Sequence, residues 1–476
     1  ENRRKDLREQ LDGIEHRIAA IDAQLRAEAP AYFDLIRPEA LGLAKAKSVL
    51  AADEAALLVV PTGYGTHIML VTDEGLQWTR SEWGYEEIDR AVRRLLWDVG
   101  GSIEVDAVEA AEWENEGEGA YPFAFSTAHR LYQQIIAPVA EGLKGKRHVF
   151  IAAAGSLSSL PFGMLVSEMP DGKTGDPEVL RAAKWFSDAH SLVRIPSLQS
   201  LDYLRKYRSA TAPAVGKPFL GIGDPVLEGA AEQRGADRST RSAGRMPGQF
   251  ERVFKPGLLR QERQVADTSV LRQMARLPGT ASELQSMWSQ FDRPPNALFL
   301  NQQASETVVR KIPMNATVIA FATHGLLAGD IDGIAEPGLV LTPPGEANEN
   351  DDGYLSMSEI ASLKINAEWV VLSACNTAAG DGRKGAPGLS GLARSFFYAG
   401  AQNVLASHWP VRDDVAAELT VRTLAILKAQ PGLSRATAFQ QAMRDVRNDR
   451  RADGESDTWA HPSAWAPFSL IGDGAR

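Results

Sequence analysis

Apolar residues fall in short runs separated by polar, helix-like stretches, and the period of each run predicts its element. Leu7, Leu11, Ile14, Ile18, Ile21 and Leu25 recur at 4-3-4-3-4 spacing, which keeps one seam on a helix. Pro30 and Pro38 then end it. Ala56–Val60 and Ile68–Thr72 are apolar runs around Pro61-Thr-Gly-Tyr-Gly65, a hairpin pattern. Arg90–Val99 reads as helix, and Val149–Ala153 and Pro218–Ile222 as strands. From Gly229 to Gln249 large apolar residues almost vanish, which predicts a mobile surface insertion.

The pattern turns regular near residue 275. Thr280 and Glu283 form a T-x-x-E capping box that predicts a helix through Phe291. The strand Ala297–Leu300 follows, then a helix from Ser305, the strand Thr317–Ala322, a polar loop over Pro343–Gly353 and the strand Trp369–Ala374. A Gly-rich loop, Ala379–Gly388, leads to a helix ending at Gly400, the strand Asn403–Ser407 and a helix from Asp413 to about Gln430. Such alternation predicts an α/β layered domain with a mostly parallel sheet.

Composition narrows what the chain does. Its 476 residues suggest roughly two to four domains. The net charge of −10 disfavours nucleic-acid binding by bulk charge, because neutralising phosphates needs surplus Lys and Arg. No apolar run is long enough to span a bilayer. The charged N-terminus, with no initiator Met, is no secretory signal and predicts a piece cut from a longer, cytoplasmic chain. A single cysteine, Cys375, excludes an internal disulfide framework and a thiolate metal cluster; no metal or other cofactor is called for.

Two strand ends carry candidate chemistry. One runs into Thr323-His324-Gly325, the other into Cys375-Asn376-Thr377, 51 residues after the histidine. In open α/β sheets ligands sit beyond the carboxyl ends of strands, so the two side chains are expected to face one cleft. A thiol of ordinary pKa, about 8.5, is only a few per cent thiolate at neutral pH. An imidazole can take its proton and later return it to the leaving amine. The backbone N–H groups of Gly325 and Cys375 would then meet the oxyanion. A core cysteine and a turn histidine are the bland alternatives; finding both in matching strand–loop contexts favours the catalytic one.

Phe321-Ala-Thr-His-Gly325 and Val370-Val-Leu-Ser-Ala-Cys-Asn-Thr-Ala378 resemble the CHAT family, caspase-like peptidases often fused to TPR repeats. Ser395–Gly400, Ala406–Val411 and His461–Gly472 are similar to that family too, and Ser156–Phe162 and Ile195–Leu201 to its degenerate N-terminal half. His408, where many relatives carry Leu, is a departure read as a packing variant. The resemblance implies a caspase-like layered fold with a mostly parallel sheet flanked by helices. It implies a helical segment over 1–45, the possible end of an upstream TPR region, a degenerate half over 46–265 and a catalytic half over 266–476. It makes His324 the general base and Cys375 the nucleophile of a cysteine endopeptidase acting on a protein partner, under a regulatory TPR region or activator. Trp409-Pro-Val-Arg-Asp413-Asp414 looks like the W-x-V-x-D segment of separases, implying that Asp413 or Asp414 receives a basic residue before the cut; either also suits a helix N-terminus. A catalytically silent interaction module and a hydrolase of small amides remain the competing readings.

Overall fold

A computed structural model describes scattered positions from 13 to 27, then residues 41–101, 103, 105–115, 122–208, 216–231, 265–328, 334, 336–374, 391–409, 411–452 and 458–475. The strands β1 (Glu54–Thr62), β2 (Gly65–Thr72), β3 (Leu76–Ser81), β4 (His148–Ala153) and β5 (Ser191–Arg194) come first. β6 (Lys217–Gly223), β7 (Gly229–Ala231), β8 (Ala275–Arg276), β9 (Leu298–Leu300) and β10 (Asn315–Ala322) follow. β11 (Gly325–Leu326), β12 (Gly338–Val340), β13 (Tyr354–Ser356), β14 (Asn366–Ser373), β15 (Asn403–Ser407) and β16 (Phe468–Gly472) complete the set. Eleven of them form one sheet in the order β3-β2-β1-β4-β5-β16-β15-β14-β10-β6-β9.

The sheet holds two parallel blocks that point in opposite directions. β1, β4 and β5 run together, as do β15, β14, β10, β6 and β9. β16, supplied by the end of the chain, joins them: it is parallel to β5 and antiparallel to β15. β6 lies inside the second block, although it precedes the 265/266 division expected from sequence. Gly223 allows its close approach to β10, since a Cβ there would lie 2.3 Å from the Ala322 carbonyl oxygen. The β1–β2 hairpin is tighter than expected: Thr62 pairs with Gly65, so only Gly63 and Tyr64 turn the chain.

Both faces of the second block are buried, which is why its strands read as unbroken apolar runs. Ile319, Phe321, Val370, Leu372 and Val404 pack with Leu392 and Phe396 of the helix α1 (Gly391–Ala399). Their alternates Val318, Ala320, Val371 and Leu405 face the core that contains Leu284 and Met287 of α2 (Gly279–Gln290). The same core holds Leu419 of α3 (Asp413–Ala429) and Phe439 of α4 (Arg435–Asn448).

The expected capping box does not form. Pro278 is the N-cap of α2 and offers no side-chain hydrogen bond, so the first turn begins earlier than the motif predicts. Thr280 donates instead to the Leu277 carbonyl at 2.7 Å, and Glu283 turns into the interior, 1% exposed. Of the N-terminal seam only Ile14 is described, on helix and 44% exposed; its other five members lie outside the described residues. So do Ala379–Gly388 and all of Gly229–Gln249 beyond β7.

Candidate active site

β10 and β14 are neighbours, and their register pairs Ala322 with Ser373. One step on, the Thr323 N–H donates to the Ser373 carbonyl at 3.3 Å, so the ladder continues past the formal strand ends. His324 is two residues beyond Ala322, and Cys375 two beyond Ser373. Cys375 itself lies outside the described residues, Ala374 being the last before it.

The His324 ring is partly buried, and its Nε2 lies 2.8 Å from the carbonyl oxygen of Ala275 in β8. A carbonyl can only accept, so Nε2 carries the ring proton and Nδ1 is the basic nitrogen. That fixed tautomer is what a general base requires. β8 is held in turn by β7, with Gly229 paired to Ala275. Nothing in the sequence pointed to Ala275, because a main-chain acceptor has no residue signature.

Gly325 opens β11 and pairs with Leu339 of β12. The Val340 N–H donates to the His324 carbonyl at 2.9 Å. In antiparallel ladders bonded and non-bonded pairs alternate, so the Gly325–Leu339 pair is non-bonded and the Gly325 N–H turns away from β12. An N–H so directed suits an anion acceptor.

Two buried hydroxyls brace the strand that leads to Cys375. Ser407, at the end of β15, donates to the Ala374 carbonyl. Ser373 donates to Glu283 Oε2 at 3.0 Å, which explains why Glu283 is inside. Sequence reading missed both, since neither residue is unusual for its element. The end of β6 adds Asp224, 8% exposed and in the left-handed region at φ 49°. Burial raises its carboxyl pKa, and Arg276 opposes the rise.

Asp413 is the first residue of α3, and its side chain lies outside the described set. Asp414 is exposed; its carboxylate accepts from Arg412 at 3.0 and 2.6 Å and from the Val415 N–H at 2.9 Å. His408 is buried, with Nε2 2.7 Å from the Ser469 hydroxyl. His461 is buried as an N-cap that accepts the Ser463 N–H at 3.1 Å. Among the described residues no group of three or more His, Cys, Asp or Glu is placed to hold a metal ion, and no helix is long and apolar enough to cross a membrane.

A family model, the CHAT domain, matches residues 126–473. Tetratricopeptide repeat protein 28 of Mus musculus is 25% identical over 377 residues, 73% of this chain. Its Homo sapiens counterpart is 24% identical over 379 residues, 74% of this chain. The matched part is only 13% of the length of either relative. Among solved structures, the Saccharomyces cerevisiae separase–securin complex aligns with 95% of this chain and 31% of that chain, at 11% identity and a TM-score of 0.46. The Arg specific cysteine proteinase gingipain R aligns with 82% of this chain and 74% of its own, at 8% identity and a TM-score of 0.34.

Proposed function

The chain belongs to the CHAT domain family, and on that footing we propose that it is a cysteine endopeptidase of the caspase-like clan. The observation that carries the reading is the β10–β14 register, together with the carbonyl of Ala275 on His324 Nε2. The paired carboxyl ends of β10 and β14 put His324 on the sheet edge at which the described part of the Cys375 strand ends, and this supports the dyad reading.

In this mechanism Nδ1 of His324 takes the proton of the Cys375 thiol, and the thiolate attacks the scissile carbonyl carbon. The N–H groups of Gly325 and Cys375 donate to the oxyanion of the tetrahedral intermediate. Collapse breaks the C–N bond as the imidazolium returns its proton to the leaving amine, leaving a thioester on Cys375. Water then attacks the thioester with His324 again as base, releasing the acid and restoring the thiol.

The substrate is a protein partner cut after Arg or Lys, the preference resting on Trp409-x-Val411-x-Asp413. Asp413 is the better acceptor of the two aspartates, since the Asp414 carboxylate already holds Arg412. Control by an upstream or partner helical-repeat region is part of the proposal, in keeping with the names of the curated relatives.

Cleavage-site profiling of a proteome, with an electrophilic peptide probe and mass mapping, tests this. Cys375→Ala and His324→Ala are each expected to lose more than about nine-tenths of kcat/KM, a barrier increase above roughly 1.4 kcal/mol. Asp413→Ala is expected to lose cleavage after basic residues with little change in melting temperature. Retained cleavage in both dyad variants overturns the enzyme assignment, and acidic or aliphatic residues dominating the position before the cut overturn the specificity. Neither labelling of Cys375 nor cleavage by wild type would leave the silent interaction module.

A further inference from the structure

Among the described residues, arginine side chains that are largely buried come with a carboxylate, with one exception. Arg94 pairs with Asp98, and Arg447 donates to Asp188 Oδ1 at 2.7 Å. Arg205 sits between Glu54 and Asp473, 2.8 Å from each. Arg194 closes β5 at 6% exposure, and no carboxylate of the described residues pairs with it. Its Nη1 donates to the Leu160 carbonyl at 3.3 Å, a long bond for a guanidinium that carries five donors.

Arg194 lines a cavity of about 30 Å3 at the seam between β5 and β16. A water needs about 10–15 Å3 of such space, so the cavity takes two waters or one molecule of three or four heavy atoms. Its walls are otherwise apolar: Ile151, Phe439, Met443, Trp465 and Leu470. Ser469 contributes a hydroxyl that is bonded to His408. Burial holds His408 neutral, and the nearby Arg194 charge works the same way. Burial also lowers Arg194 itself, to about 10, which leaves it cationic at neutral pH. The cavity therefore carries a single positive charge.

We propose that this cavity binds a small free monocarboxylate of acetate size, its oxygens accepting from the Arg194 guanidinium and its methyl group lying against the apolar wall. A buried cation is costly unless paired, and a carboxylate matches the planar fork. One positive charge suits a monoanion better than a dianion such as phosphate. Wall residues come from β4, β16 and α4, so the cavity lies where the late elements of the chain close over the end of β5.

The test titrates 13C-labelled acetate into the full chain at constant ionic strength, reading acetate line broadening and the melting temperature. Both are expected to saturate with acetate or formate and to respond weakly to butyrate, chloride and phosphate. Arg194→Met is expected to abolish the response. Arg194→Lys, which lacks the planar fork, is expected to weaken binding at least tenfold. Met443→Phe, which narrows the cavity and leaves Arg194 in place, should also weaken it, and guards against misfolding of the arginine variants. Absence of saturable broadening in wild type, an equal response to chloride, or undiminished binding in folded Arg194→Met overturns the proposal and leaves the cavity to water.

Discussion

Replacing Ser407 by alanine disturbs the proposed oxyanion site through the peptide bond that joins Ala374 to Cys375. The Ser407 hydroxyl, fully buried, donates to the Ala374 carbonyl. A trans peptide is planar, so under the proposed mechanism the carbonyl that Ser407 holds and the oxyanion-donating N–H of Cys375 would move as one unit. Ser407→Ala leaves a buried acceptor without this donor, a stability cost of about 1–3 kcal/mol. It also frees the peptide plane to tilt. Deleting one preorganised oxyanion donor outright costs about 100- to 1,000-fold in kcat; a tilted donor should cost less, about 10- to 100-fold, or roughly 1.4–2.8 kcal/mol. KM should stay within about twofold, because the ground-state carbonyl depends less on the donor. The assay compares kcat and KM on a peptide chosen from the cleavage profile, at matched folded fraction. Alkylation of Cys375 by iodoacetamide provides the control, since that displacement builds no oxyanion. It should remain near the wild-type rate, and Ser407→Thr should restore part of kcat. A fall in kcat below about threefold, or a parallel fall in alkylation, would refute the reasoning.

Arg205→Met strands Glu54 and Asp473, both buried, so it should destabilise the fold by about 3–5 kcal/mol in chemical denaturation. Adding Glu54→Gln should recover part of the loss, and a loss under about 1 kcal/mol would count against a buried triad. Glu306 is fully buried, and burial, with Glu359 and Asp352 facing it, pushes its pKa from 4.5 to about 8. A raised carboxyl makes stability greatest below the unfolded value and progressively lost as pH rises from about 4.5 to about 8. The wild type minus Glu306→Gln stability difference should therefore fall by a few kcal/mol across that window, at most about 1.4 per pH unit; a flat difference, measured by denaturant midpoints, would contradict it.

How much of this could be read from the sequence depends on whether a feature is carried by side-chain pattern or by chain path. β10, β14 and β15 were legible because strands buried on both faces leave unbroken apolar runs, and His324 and Cys375 stand where those runs stop. Their strands proved adjacent and in matching register, which the runs alone could not fix. Chain path accounts for what was missed. β16 lies between β5 and β15 although it is the last strand, and β6 crosses to the second block; no local pattern records either pairing. Glu283 has the right type and spacing for a cap, but Pro278 takes the cap position and Ser373 supplies a partner 90 residues away.

Arg194 illustrates the same division at a single residue. In Ser191-Leu-Val-Arg194 it reads as the polar end of a strand, where an arginine ordinarily reaches solvent. It is buried only because α4 and β16, which come more than 200 residues later, close over it. The late elements bring apolar walls and a neutral histidine, and no carboxylate lines the cavity. A buried cation with no carboxylate partner among the described residues is thus a product of long-range topology, and so is any ligand that satisfies it. That is also why the site lies apart from the strand ends that carry His324 and Cys375: β5 and β10 belong to blocks running in opposite directions, so their carboxyl ends face opposite edges of one sheet.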